Sequence, residues 1–113
     1  MKNLYDVAKV IRSKNAGPFS ITLDILFNSK SVYEAIKKAN IITKGSIAQV
    51  YNLKEKDITE LIYFDQALGI KITYNRQISS GTSGDRDVYG AQQHAPLMTF
   101  QFDETILINE VEL

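Results

Sequence analysis

The sequence predicts an α+β fold: an antiparallel sheet with two helices on one face. Three observations carry that prediction. A nine-residue stretch, Phe19 to Phe27, alternates apolar and polar positions with β-branched and aromatic residues. Two further stretches, Ile58 to Phe64 and Ala67 to Tyr74, have the same strand character and are separated by a short polar turn. Between the first strand and this pair lie two segments with helical start and stop signals. The chain has 113 residues, 44% of them hydrophobic and 23% charged. One domain over 1–113 with one modest core is the expectation.

Leu4 to Asn15 is ambiguous by periodicity. Leu4, Val7, Ala8 and Ile11 fit a helical stripe slightly better than Tyr5, Val7, Lys9 and Ile11 fit a strand face. Gly17-Pro18 then breaks the chain. In the following strand Phe19, Ile21, Leu23, Ile25 and Phe27 share one face, and Ser20, Thr22, Asp24 and Leu26 the other. Ser31 and Glu34 have capping-box spacing, which predicts a helix from Ser31 with Val32, Ala35, Ile36 and Ala39 as its apolar face and Asn40 as its stop. A second helix is predicted over 44–51 with Thr43 as its cap, and a charged turn over 54–57. Asp65-Gln66 turns the chain between the next two strands. Phe100 and Phe102 alternate with Thr99 and Gln101 in a further strand, and Thr105 to Leu113 has strand character as well.

Thirteen basic residues balance thirteen acidic ones. Phosphate-backbone binding needs a basic excess, so nucleic acid is not the expected partner. There is no cysteine, which excludes disulfides, thiolate metal sites and cysteine nucleophiles. No stretch approaches the ~20 apolar residues of a membrane span. Lys2, Asp6 and Lys9 interrupt the first apolar pattern, unlike a signal peptide. The expectation is a cytoplasmic domain without membrane contact.

The functional signal lies in 75–94, twenty residues with very little apolar content. Three of the six glycines, the single histidine and two of the three arginines fall there. Compact domains seldom carry so long a polar connection without a binding role. The ten lysines are spread over helices and turns, whereas Arg12, Arg76 and Arg86 are confined to polar segments flanking strands. Arginine grips carboxylate or phosphate with a rigid two-point fork, which lysine lacks. Surface pairing with acids such as Asp85 or Asp87 is the competing explanation.

Gly81-Thr82-Ser83-Gly84 has the glycine content of an anion cradle, but neither the P-loop lysine nor the dinucleotide spacing. Ser79, Ser80 or Ser83 with Asp85 and His94 supplies the residue types of a hydrolytic triad, with no nucleophile-elbow motif around any serine. Asp85 and Asp87 lack the remaining oxygen ligands of a calcium loop, because Tyr89 stands where one is needed. No metal or cofactor is expected. A second donor-rich stretch, Arg12 to Pro18, holds Arg12, Lys14 and Asn15, with Thr22 and Asp24 on the next strand as support. If the two stretches meet, they form one anion-binding patch from Arg12, Lys14, Asn15, Arg76, Ser79, Ser80, Gly81, Asp85, Arg86, Asp87, Gln92 and Gln93. His94 and Tyr89 are the candidate acid–base residues.

Leu4 to Phe19 followed by Thr22 to Phe27 resembles the N-terminal signature of a small bacterial domain-of-unknown-function family. Its members are encoded beside, or fused to, acyclic-terpene-utilisation (AtuA-like) proteins. Ser79-Ser80-Gly81 and Gly84 to Leu97 resemble the family's second signature. The resemblance covers 4–102, and an extra strand over 104–113 lies outside it. The C-terminal domain of AtuA-like proteins opens on an Arg-Ser-Gly-Asp-Lys-Gly turn. Arg12-Ser13 matches that opening, while Lys14-Asn15 replaces its Gly-Asp. The likeness implies a ferredoxin-like sandwich in which residues 4–12 form the first strand of a hairpin.

What the resemblance implies is an accessory or small subunit working with a larger AtuA-like protein in bacterial carboxylic-acid or acyl-CoA catabolism, with a small anionic carboxylate or acyl-CoA as ligand. One rival is a stand-alone homo-oligomeric lyase or isomerase using His94 or Tyr89. Another is a structural interaction module whose tail adds a strand to a neighbouring sheet edge. Homo- or hetero-oligomerisation is expected, because a small sheet with exposed edges gains by covering them.

Overall fold

A computed structural model describes residues 1–17, 19–75 and 95–107. The elements run β1 (Lys2–Asn3), α1 (Leu4–Val7), β2 (Val10–Asn15), β3 (Ser20–Leu26), α2 (Lys30–Ala39), α3 (Lys44–Tyr51), β4 (Ile58–Phe64), β5 (Gly69–Asn75), α4 (Ala95–Met98) and β6 (Gln101–Phe102). The main sheet has the order β2-β3-β5-β4, and each neighbouring pair is antiparallel. A separate two-stranded ribbon pairs β1 with β6. Among the described residues no helix is long and apolar enough to cross a membrane.

The α+β class is as the patterning predicts. The ordering differs from a ferredoxin-like sandwich. There, each helix carries a crossover between parallel strands. Here α2 and α3 follow one another between two hairpins. The β2–β3 hairpin and the β4–β5 hairpin then join through β3 and β5.

One face of the sheet is the core. Ile21, Leu23 and Ile25 of β3 and Ile70, Ile72 and Tyr74 of β5 are at most 4% exposed. They pack in one cluster with Tyr33 and Ile36 of α2, Ile47 of α3 and Leu97 of α4. The period-two pattern places these side chains on one side, so all the helices cover the same face. Phe19 departs from its expected place. It precedes the strand and is 56% exposed. The fifth strand begins at Gly69 rather than Ala67, because Asp65–Ala67 forms a single 3₁₀ turn.

The first segment combines both readings of its sequence. Leu4–Val7 is one helical turn, tied to the ribbon by the Leu4 N–H donating to the Phe100 carbonyl at 2.7 Å. The chain then extends into β2 at Val10. In α2 the cap is Ser29, not Ser31. The Ser29 hydroxyl accepts from the Val32 N–H at 3.3 Å, and the Ser31 hydroxyl lies 2.9 Å from the Ser29 hydroxyl. Starting at Lys30 rather than after a Ser31 cap adds two residues, about half a turn, and Tyr33 and Ile36 lie in the core. Asn40 ends α2 in the left-handed conformation, as its residue type predicts. Thr43 caps α3, exchanging bonds with Ser46. Residues 105–107, the start of the predicted C-terminal strand, are helical, and 108–113 lie outside the described residues.

Candidate functional site

Strand pairing brings Arg12, Lys14 and Asn15 to the side of β3. Arg12 stands opposite Asp24, Lys14 opposite Thr22 and Asn15 opposite Ile21. Arg12 and Lys14 lie on the face opposite the core, at alternate positions of β2. The Arg12 Nε donates to Asp24 Oδ2 at 3.0 Å, with the arginine side chain 60% exposed and the aspartate 17% exposed. The expected support from Asp24 is present. Surface pairing, the competing explanation for the arginines, therefore holds for Arg12, with Asp24 as the acid. Thr22 continues the polar face, its hydroxyl 3.4 Å from that of Thr73.

The turn after β2 is tight. The Ala16 N–H donates to the Ser20 carbonyl at 3.0 Å, and Gly17 has φ +126°, a region that side-chain-bearing residues rarely enter. At the same end of the sheet Ser20 pairs with Asn75 and Ile21 with Tyr74. The chain therefore leaves β5 beside the β2–β3 turn. Arg76, Ser79, Ser80, Gly81, Asp85, Arg86, Asp87, Tyr89, Gln92, Gln93 and His94 lie outside the described residues. Among the described residues no group of three acids or histidines is placed to hold a metal.

A second cluster had no forecast in the sequence. Lys30, Tyr33, Glu34 and Lys37 of α2 face Asp65, Gln66 and Leu68 of the β4–β5 turn across an open cleft of about 570 Å³. Asp65 Oδ1 accepts from the Tyr33 hydroxyl at 2.7 Å and from Lys37 Nζ at 2.8 Å. Lys37 and Tyr33 hold the Asp65 carboxyl below the usual carboxylate range, Lys37 having the larger effect. Burial, reinforced by Asp65, pushes the Tyr33 phenol above the ordinary tyrosine range, so it stays a proton donor. Leu68 follows in the left-handed conformation at φ +50°, with its carbonyl accepting the Phe27 N–H at 2.9 Å. This arrangement works as a latch that pins the turn to the helix. The available signal was the four-residue spacing of Tyr33 and Lys37, which puts them on one side of a helix. Their partner, 32 residues from Tyr33, gave no local cue.

Fold and surface together define a small α+β domain whose sheet is covered by helices on one face and polar on most of the other. The chain belongs to the family described as domain of unknown function (DUF4387), whose model matches residues 4–101. No curated protein and no solved structure matches it.

Proposed function

We propose that this domain is an accessory or small subunit that works with a larger AtuA-like protein in bacterial carboxylic-acid or acyl-CoA catabolism. Its part is to offer a donor-rich patch for a carboxylate or phosphate. In this reading Arg12 and Lys14 form one wall, Asn15 lies beside them where β2 enters the turn, and Arg76, Ser79, Ser80, Gly81, Arg86, Gln92 and Gln93 supply the other. The observation that carries it is the pairing of Ser20 with Asn75, which starts the glycine-rich segment beside the β2–β3 turn. Asp24 fixes Arg12 through Nε, leaving the anion to be met by an already oriented guanidinium.

Titration calorimetry with a short dicarboxylate and with an acyl-CoA tests the patch. Arg12→Ala and Arg86→Ala are each expected to weaken binding about tenfold, the loss of one charge-assisted hydrogen bond. Binding by the wild type that neither substitution alters would refute the patch. Co-purification from the native host tests the partner, and recovery of the chain without any AtuA-like protein would count against that half.

A further inference from the structure

The face of the sheet opposite the core is self-complementary, and we propose that a second copy of this chain packs on it. This goes beyond the proposed function and stands on a separate observation, the register; the dimer covers Arg12 and Lys14, so it and anion binding at those residues exclude one another. Three cross-strand rows span the four strands on that face. The first is Val10, Leu26, Gly69 and Phe64. The second is Arg12, Asp24, Lys71 and Ile62. The third is Lys14, Thr22, Thr73 and Glu60. Phe64 is 46% and Ile62 37% exposed, so the face is open along β4, whereas Thr22 on β3 is only 3% exposed.

A two-fold axis parallel to the strands, between β3 and β5, exchanges the ends of each row. Val10 then meets Phe64 of the second copy, Arg12 meets Ile62, and Leu26 meets Gly69, whose open side is already covered by that chain's own Leu26. Asp24 meets Lys71, and Lys14 meets Glu60. Within one chain Arg12 already pairs with Asp24 at 3.0 Å and Lys71 with Glu60 at 3.5 Å. The dimer would join these into a network of alternating sign: Arg12, Asp24, then Lys71 and Glu60 of the second copy, then Lys14. Opposite charges across an interface suppress wrong registers. An axis perpendicular to the strands would instead bring Arg12 over Lys14, like against like. A partner with a single sign of charge would find part of the face repulsive. A copy related by the axis along the strands pairs Asp24 with Lys71 and Lys14 with Glu60, and leaves Arg12 over Ile62 as the one charge without an opposite across the interface.

Two sheets stacked this way keep their strands within about 30° of each other. Four strands ~4.8 Å apart, each about seven residues of ~3.3 Å rise, give a flat footprint of roughly 440 Å². That is below the ~800 Å² per partner of a standard stable complex, so the dimer should form and dissociate with concentration.

Sedimentation velocity over a dilution series tests this. The wild type should pass from one chain to two. Asp24→Lys alone and Lys71→Glu alone each turn two symmetry-related attractions into repulsions. Each should weaken association about tenfold or more. An equimolar mixture of the two variants restores opposite charges at both contacts and should regain the wild-type mass. Circular dichroism confirms that each variant is folded; if one is not, Lys14→Glu and Glu60→Lys replace the pair. A wild type that stays single throughout would overturn the proposal. So would folded variants that keep the wild-type mass, or a mixture no tighter than its parts.

Discussion

Leu23 and Leu26 sit three residues apart on β3 and test the two-faced sheet directly. Leu23 is fully buried in the core, whereas Leu26 lies on the opposite face and is only partly covered. Leu23→Ala removes about three buried carbon groups, worth ~0.8 kcal/mol each, and leaves a cavity that a sheet wedged against helices fills poorly. The expected cost is about 3 kcal/mol. A chain of this length has roughly 6–17 kcal/mol in total, so that is a large share. It corresponds to a fall in Tm of about 10–20 °C. Leu26→Ala removes the same atoms from a half-solvated place and should cost about 1 kcal/mol or less. The Leu26 side chain fills the space over Gly69, its Cδ2 atom 2.7 Å from where a Cβ would stand, so the leucine fits there only because residue 69 is glycine. Urea denaturation at low protein concentration measures both. Equal costs, or a larger cost for Leu26→Ala, would refute the assignment of faces on which the core and the dimer both rest.

Two more tests address local claims. Ser29→Ala should cost about 1 kcal/mol as the true cap of α2, whereas Ser31→Ala should change stability by only a few tenths, both read from denaturant midpoints. The pH profile should have a flat centre with losses at both ends. Asp65 is held below its ordinary value, so its contribution is present above the unfolded carboxylate range and disappears as pH falls through the folded value. Tyr33, Tyr51 and Tyr63 are all raised, chiefly by burial. Their contribution is present below the ordinary tyrosine range and lost as pH rises through their folded values. Tyrosinate absorbance from these three should therefore lag behind the ordinary titration and develop as the fold is lost. Full absorbance at the ordinary value, with far-ultraviolet dichroism intact, would contradict this.

The sequence by itself determined the local elements whose cause lies within a few residues. Alternation set the inward face of β3, Thr43 set the start of α3, and Asn40 set the end of α2, because period, caps and left-handed stops are short-range effects. It also determined the class, since strands that bury one face need helices to cover it. Choices between near-equal local options escaped it. Ser29 and Ser31 both make good caps, and in the structure it is the Ser29 hydroxyl that accepts from the Val32 N–H. Leu4 to Asn15 satisfies a helical and a strand pattern in turn, and the pairing of β1 with β6 decides where one gives way to the other. Strand order, the latch of Asp65 to Tyr33 and Lys37, and the three rows of the open face were decided only in the tertiary structure. Each joins residues far apart in the chain. Their attraction depends on a register that no local stretch encodes.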